Sequence, residues 1–364
     1  MRILPSKMSL RARLSLQTAM IIGLTMVVVA SYTYFRAANS VEDLSNRIID
    51  QNASLINQRI DSLLERAEGS AAVAAGLAVP EISQENVQLD SARLAEIAPS
   101  LIDLVEVNPE FATAMITIAE TGEYLQVTQS ATGTIRIEMT VVESGQRVRR
   151  LFRRFGSQLQ QTQSMIFWDR DPRSEAFFEL VEENREIAWT EAYVFHESTL
   201  PKTPGVTCGR PIVDQDGNFV GVASIDLTLE SLGRFLRTIQ VGEQGLAFLV
   251  ELSPGAEPRV LAHPKASVDS EEGQNVLINV ADLGEPATVA FVQQIIETPI
   301  FSEDDILRGR VQADGETHLA GALRISGERR PNWMIGITVP SRDYMASVFD
   351  AGAVSYTHLR AHET

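Results

Sequence analysis

The sequence has 364 residues, of which 44% are hydrophobic, and it carries a formal net charge of −17 with a single cysteine. So acidic a chain repels nucleic acid, which is excluded as an expected partner, and one cysteine excludes an intrachain disulfide. No Cys/His spacing typical of a metal site occurs, and we expect no metal, cofactor or catalytic residue.

The first predicted element is a membrane anchor. No charged residue lies between Arg13 and Arg36, and at about 1.5 Å per residue such a helix spans a bilayer core of about 30 Å. The sequence therefore predicts a transmembrane helix over residues 14–35 in contact with lipid. A cleaved signal peptide, with small residues at 28–30, and a buried soluble helix are the alternatives.

The charges before this helix predict its orientation. Arg2, Lys7, Arg11 and Arg13 occur there without an acidic residue, and basic residues beside a first span are normally retained in the cytoplasm. We therefore expect a cytoplasmic segment at 1–13, an inner-membrane location and a periplasmic remainder.

A long stalk helix is predicted over residues 37–78. Apolar residues recur there mostly at spacings of three and four, and Pro80 is the first proline after the anchor. The recurrence includes Val41, Leu44, Ile48, Ile49, Leu55, Ile56, Ile60, Leu63 and Leu64. A helix of this length that leaves a membrane favours pairing with a second copy, so we expect a homodimer.

The rest of the chain predicts two α+β modules with antiparallel sheets, over residues 79–240 and 241–340. In the first, helices are expected at 91–107, 175–185 and 227–239, and strands at 112–119, 124–128, 136–142, 188–195, 205–213 and 219–226. In the second, strands are expected at 245–252, 259–262, 309–313, 316–325 and 333–339, with a helix at 287–297.

Two features of the first module have ordinary structural interpretations. The arginines between Arg147 and Arg154 favour a face paired with nearby acids over an anion site. Cys208 lies in a predicted strand, which favours a small packed side chain over a nucleophile.

Several segments together resemble a double Cache (dCache) sensor domain over residues 37–348. They are Asp171–Phe178, Trp189–Tyr193, Gly205–Thr207, Pro211–Gly217, Gly221–Asp226, Gly242–Leu252, Ala262–Pro264 and Asn332–Pro340. The resemblance implies two PAS-like modules on one long helix, outside the membrane, with a small-molecule ligand in the membrane-distal module.

Family members that bind amino acids have a tyrosine, an arginine, a Trp-Tyr pair and an aspartate in their pocket. Aligned on this chain, those positions fall at Arg170, Glu175, Phe177, Phe178 and Asp226, so the aspartate alone is retained. The family's arginine holds the ligand carboxylate, whereas Glu175 would repel it by about 4 kcal/mol at 4 Å. We therefore expect no α-amino acid bound in the family's usual mode.

The candidate pocket combines aromatic residues with carboxylates, which suits an amine. Its residues are expected to be Asp226, Trp168, Arg170, Glu175, Phe177, Phe178, Trp189 and Tyr193. Alternatives remain for four of them. Trp189 and Phe177 are also consistent with the core, Glu175 with a solvent-facing position, and Asp226 with a cap of the helix predicted from Leu227.

The predicted function is the sensory region of a transmembrane receptor that signals to a cytoplasmic effector. A nucleotide cyclase or histidine kinase is the favoured effector, ahead of a chemoreceptor or diguanylate cyclase domain. An exported enzyme is one alternative, although His196, Glu197, His263 and His318 form no recognisable catalytic spacing. A spacer or adhesion module is the other.

The C-terminal residues predict a truncated chain. Residues 341–353 indicate an exit helix toward a second membrane span, where an apolar run is expected. Residues 354–364 instead match a translated transposon-end sequencing adapter, so we attach no fold to them.

Overall fold

The computed structural model describes residues 10–79, 90–130, 132–156, 158–166, 168–195, 203–265, 277–297, 306–325 and 330–343. Its α-helices are α1 (Leu10–Ala78), α2 (Ser91–Val107), α3 (Ala176–Asn184), α4 (Leu229–Leu236) and α5 (Pro286–Ile296). The predicted exit helix is described at 341–343 alone, and residues 354–364 lie outside the described ranges.

The first nine strands are β1 (Phe111–Ile118), β2 (Tyr124–Gln129), β3 (Ile135–Glu143), β4 (Gln146–Phe155), β5 (Gln158–Ile166), β6 (Ala188–Trp189), β7 (Tyr193–Val194), β8 (Pro204–Val213) and β9 (Phe219–Thr228). The last five are β10 (Leu246–Glu251), β11 (Arg259–Ala262), β12 (Leu307–Ala313), β13 (Glu316–Arg324) and β14 (Trp333–Pro340). The α+β class with two antiparallel sheets is confirmed.

The predicted anchor and stalk form one continuous helix, α1. Its segment Leu14–Thr33 has a mean hydropathy of 1.9 and none of it is buried within the chain, so it is long and apolar enough to cross a membrane. After this segment, side chains become buried at spacings of three and four. The buried stripe contains Ile49, Ala53, Ile56, Ile60, Leu64, Ala67, Ala71, Ala74 and Ala78.

This stripe packs against both sheets of the chain itself. Ile49 and Asp50 contact β12 and β13 of the second sheet, whereas Glu68 bonds to Trp189 of the first. The second sheet thus lies nearer the apolar segment. Most of the described apolar residues that were predicted to pair two copies are buried within one chain, although Leu55 is 56% exposed. Dimerisation therefore stays a prediction.

The first sheet has nine strands in the order β5-β4-β3-β2-β1-β9-β8-β6, and β7 also pairs with β8. The second has five strands in the order β11-β10-β14-β13-β12. In both sheets the first strand lies between the second and the last. Helices α1 and α2 cover one face of the nine-stranded sheet, and α1 also covers one face of the five-stranded sheet.

Three details differ from the sequence prediction. The arginine-rich segment forms β4, which follows β3 after a tight turn at Ser144 and Gly145, both with positive φ, and pairs on its other side with the polar edge strand β5. The strand predicted at 188–195 is broken into β6 and β7. Strand β9 continues to Thr228, which caps α4 by accepting from the Ser231 amide, so Asp226 does not cap this helix.

Candidate functional site

The face of the nine-stranded sheet that points away from α1 is polar, yet it is buried. Alternate residues of β1, β2, β3, β8 and β9 place hydroxyl, amide and charged groups there, since side chains alternate between faces. Each is at most 9% exposed, and they include Thr113, Thr117, Gln126, Thr128, Glu138, Thr140, Thr207, Ser224 and Asp226. Burying so many polar groups is costly unless they are bonded, so this face is unusual for a packed core.

A cleft opens on this polar face. Its floor comes from β1, β2 and β9, and its roof from β7, the start of α3 and the segment before α3. The lining consists of Met115, Gln126, Arg170, Glu175, Phe177, Tyr193, Phe195 and Asp226. The empty space measures about 250 Å³, a volume that includes the open solvent at its mouth.

A chain of hydrogen bonds crosses the floor of the cleft. Thr207 Oγ1 lies 2.7 Å from Asp226 Oδ1 and 2.7 Å from the Tyr193 hydroxyl. The threonine has one proton to donate and gives it to the carboxylate, so it accepts from Tyr193. Burial, followed by the charge of Asp226, raises the pKa of Tyr193 well above its usual value. Tyr193 is therefore a neutral donor at physiological pH.

An ion pair forms the opposite wall. Arg170 Nε donates to Glu175 Oε1 at 2.7 Å and Nη2 to Oε2 at 3.3 Å, while Nη1 donates to Gln126 Oε1 at 2.6 Å. The Glu175 side chain is 16% exposed, so it does not face solvent. Arg170 thus offsets the charge of Glu175, a pairing that the sequence did not predict.

Behind this wall lies a second buried network. The Tyr124 hydroxyl donates to Glu138 at 2.7 Å and accepts from Trp168 Nε1 at 2.9 Å. Arg149 pairs with Glu138 and stacks over the Trp168 ring at 4.3 Å. Burial and the Glu138 charge raise the pKa of Tyr124 to about 12. Trp168 is thus fixed beside the cleft and does not line it.

The segment before α3 is anchored to the β1–β2 turn. Arg147 and Arg173 both pair with Asp171, at 2.5 and 2.7 Å. Gly122 in the turn has a φ of 69°, and a Cβ there would lie 2.7 Å from Asp171. These contacts position Arg170 and Glu175, which flank the anchored segment.

Five of the eight predicted site residues line the cleft: Arg170, Glu175, Phe177, Tyr193 and Asp226. Trp168, Phe178 and Trp189 do not line it. Phe178 packs edge-to-face on Phe219. Trp189 donates from Nε1 to Glu68 of α1 at 3.0 Å, on the other side of the sheet.

The cleft also contains residues that the sequence did not predict, namely Met115, Gln126 and Phe195 in the lining and Thr207 in the hydrogen-bond chain. Met115 and Gln126 alternate with residues of the apolar face in β1 and β2, and that period-2 pattern is the signal that could have identified them. Phe195 follows β7 and gave no such signal.

The corresponding space in the five-stranded sheet is filled by side chains. Phe248, Phe291 and Met334 are fully buried between this sheet and α5. His263 is 1% exposed there, and burial lowers its pKa to about 4. Its Nδ1 accepts from the Lys265 amide at 3.2 Å, and Nε2 lies 3.4 Å from Thr288 Oγ1. His263 is therefore a neutral core residue.

The two sheets meet at Ala192. Glu251 at the end of β10 accepts from the Ala192 amide at 3.0 Å, and Arg259 Nη1 donates to the Ala192 carbonyl at 3.1 Å. Glu251 also pairs with Arg259 at 2.8 Å, and burial raises the pKa of this carboxyl. Since Tyr193 follows Ala192 directly, the cleft is mechanically joined to the second sheet.

The other residues that could take part in chemistry have structural roles in the part of the chain that the structure describes. Arg147, Arg149, Arg150 and Arg154 each pair with a carboxylate, as the charge pattern indicated. Cys208 is buried, and burial raises the pKa of its thiol. Among described residues, no three His, Cys, Asp or Glu side chains converge to hold a metal ion. His196 and Glu197 lie outside those residues.

The profile of the Cache domain family matches residues 36–348. One curated relative, the methyl-accepting chemotaxis protein McpG of Pseudomonas putida KT2440, is 28% identical over 167 residues, which are 42% of this chain and 23% of the relative. The chain thus spans under a quarter of that protein.

Solved structures share the fold. The ligand-binding domain of the Campylobacter jejuni chemoreceptor Tlp3 in complex with 4-methylisoleucine superposes with a TM-score of 0.52 at 13% identity, over 85% of this chain and 94% of that one. The ligand-binding domain of the Pseudomonas fluorescens chemoreceptor CtaA in complex with L-isoleucine gives 0.50 at 20% identity, over 85% and 98%.

Proposed function

This chain belongs to the Cache domain family, and on that premise we propose that it is the extracytoplasmic sensing region of a transmembrane signalling receptor, with its ligand in the cleft of the nine-stranded sheet. The observation that supports this most is a polar, buried sheet face that opens into a cleft lined by charged and aromatic side chains. The apolar packing on the five-stranded sheet favours the first sheet as the ligand site.

The charges of the lining favour an organic amine. Arg170 contributes one positive charge, and Glu175 and Asp226 contribute two negative charges, so the lining carries a formal charge of −1. Glu175 already bonds to Arg170. In the proposed complex the ammonium group approaches Asp226, and the apolar part of the ligand contacts Phe177 and Phe195.

A binding screen tests this proposal. The full chain in detergent micelles is titrated with isoamylamine, phenethylamine, histamine and putrescine, together with the amino acid from which each derives. At least one amine should raise Tm and bind measurably by calorimetry. Absence of any amine effect would contradict the ligand class.

Asp226→Asn then tests the site. Removing the carboxylate charge should weaken the binding amine at least tenfold, about 1.4 kcal/mol. Asp216→Asn is the matched control, because Asp216 is exposed in the β8–β9 turn of the same hairpin. An Asp226→Asn affinity within twofold of the wild-type value would overturn the assignment.

Signal transmission completes the proposal. Helix α1 connects both sheets to the apolar segment, so a ligand-dependent shift of the sheets would be transmitted to a membrane span. In this proposal the chain is anchored in the inner membrane, acts as a homodimer and performs no chemistry itself. In this proposal a nucleotide cyclase, a histidine kinase or the methyl-accepting domain suggested by the curated relative receives the signal.

The alternative functions have less support. For an enzyme, the described histidines do not meet, since His263 is buried near α5 and His318 lies on β13. A spacer would have no need for a cleft lined by bonded polar side chains. A panel of hydrolase substrates tests the first alternative, and the ligand-dependent Tm shift tests the second.

A further inference from the structure

Within the cleft, Arg170 already binds a carboxylate, and the chain itself supplies it. Two of the three guanidinium nitrogens of Arg170 donate to the two carboxylate oxygens of Glu175, at 2.7 and 3.3 Å. This two-point geometry is the one by which an arginine holds the carboxylate of a ligand. The third nitrogen donates to Gln126 at 2.6 Å.

The local structure indicates that the Glu175 side chain bonds to Arg170 in place of capping α3. Glu175 is the N-cap residue of α3, where a side-chain acceptor would normally bond to the first amides of the helix. Its side chain makes no such capping bond. The carboxylate reaches Arg170 instead, and both side chains are largely shielded from solvent, at 16% and 9% exposure.

We propose that Glu175 determines the ligand specificity of the cleft by occupying, as an internal counter-ion, the position in which Arg170 would otherwise bind a ligand carboxylate. This rests on the proposed function, in which the ligand lies between Arg170 and Asp226. A ligand with an ammonium group alone leaves the pair intact. A zwitterion would have to displace the Glu175 carboxylate from Arg170. The Glu175 carboxylate would then lie, shielded from solvent, beside the carboxylate of the ligand.

The inference predicts that removing the Glu175 charge changes the ligand class. In Glu175→Ala, Arg170 keeps Gln126 and gains space for a small anion, while Asp226 across the cleft is untouched. The variant should then accept a zwitterion, with its carboxylate on Arg170 and its ammonium near Asp226. We expect L-leucine to bind Glu175→Ala at least tenfold more tightly than it binds the wild type.

A chemical-rescue experiment tests the occupied position independently of the natural ligand. Tm of the full chain is measured in sodium acetate and in sodium chloride at equal ionic strength. Acetate should raise Tm of Glu175→Ala above the chloride value, and it should not do so for the wild type or for the double variant Arg170→Gln/Glu175→Ala. Equal acetate responses in all three proteins, or none in a folded Glu175→Ala, would overturn the inference.

A second variant covers the case in which Glu175→Ala does not fold. Glu175→Gln keeps the length of the side chain and one hydrogen bond to Arg170, and removes the negative charge that balances Arg170. It should gain affinity for L-leucine relative to isoamylamine, measured by calorimetry. An unchanged preference in a folded Glu175→Gln would also overturn the inference. The proposed function fails separately, if Asp226→Asn leaves amine binding unchanged.

Discussion

The carboxylate of Glu251 accepts a hydrogen bond from the main-chain amide of Ala192 at 3.0 Å, which joins the five-stranded sheet to the roof of the cleft in the nine-stranded sheet. Arg259 holds the carbonyl of the same residue at 3.1 Å. Both backbone polar groups of Ala192 are thus bound by the second sheet. Tyr193 follows in the lining of the cleft, and β10 pairs with β14, whose end at Pro340 directs the chain toward the predicted exit helix.

Glu251→Gln should weaken this connection more than it weakens ligand binding. The amide keeps the shape of the side chain but loses the ion pair with Arg259 and is a weaker hydrogen-bond acceptor for the Ala192 amide. Hydrogen exchange measured with and without a bound amine should show ligand-induced protection of β14 in the wild type and little in the variant. Glu243→Gln, at an exposed position, is the control. Equal protection of β14 in Glu251→Gln would contradict this coupling.

Tyr193→Phe should lower affinity for a bound amine by about two- to tenfold, the range of one net hydrogen bond. The tyrosine hydroxyl donates to Thr207, which in turn donates to Asp226. Since the pKa of Tyr193 is raised well above its usual value, the ratio of wild-type to variant affinity should not change between pH 6 and 9. A step in this ratio below pH 9, measured by calorimetry, would argue against a neutral donor.

The free energy of unfolding should fall as the pH is lowered, because His263 is buried in its neutral form. Its pKa is about 4 in the folded chain and about 6.5 when unfolded. Folding therefore favours the neutral imidazole of His263. The contribution of His263 to the free energy of unfolding is complete above pH 6.5 and is lost as pH falls toward 4. The full effect is about 3 kcal/mol.

His263→Leu should remove this dependence. Urea denaturation at pH 7.5, 6.5, 5.5 and 4.5 should show that the wild type loses more stability than the variant over this range. Lys265 and Glu285, the charged groups that act on the ring, are present in both proteins. Parallel curves for the two proteins would show that His263 is not buried in its neutral form.

Gly205→Ala should destabilise the fold and distort the cleft. A Cβ at this position would lie 2.1 Å from Cζ of Phe195 and 2.4 Å from the Leu227 carbonyl, so the lining ring has to move. Overpacking of this kind costs about 1–3 kcal/mol, and amine affinity should fall with it. Gly69→Ala on α1 is the opposite case, because outside the adjacent backbone of its own helix no atom lies within 4 Å of its Cβ position. That helical substitution should be neutral or stabilising.

Reporter fusions should test the predicted topology. Alkaline phosphatase fused after Asp343 should be active and a cytoplasmic reporter inactive there, since basic residues precede the apolar segment Leu14–Thr33. Replacing Gly23 and Met26 by arginine should release the chain from membranes, because charges near a bilayer centre are costly. Activity of the cytoplasmic reporter alone would reverse the assigned orientation.

Local patterns predicted most of the architecture. The uncharged run before Arg36 predicted the apolar part of α1, and spacings of three and four predicted the stripe from Ile49 onward. Glycine turns and β-branched runs located most strands. Asp226, which came from the family resemblance, lies two residues before the end of β9 and lines the cleft. Strands β4 and β5 were missed because their arginine and glutamine residues lack an apolar alternation.

The tertiary structure decided which side chains meet. In one unbroken strand Trp189 and Tyr193 would share a face, but the break between β6 and β7 turns Trp189 toward α1 and Tyr193 toward the cleft. Likewise, the sequence alone predicted that Glu175 would repel a ligand carboxylate, whereas in the folded chain Arg170 pairs with Glu175. The periodicity of a segment depends on its own residues and is visible in the sequence. The face that a residue occupies and the charge that neutralises it depend on strand register and on contacts with distant segments.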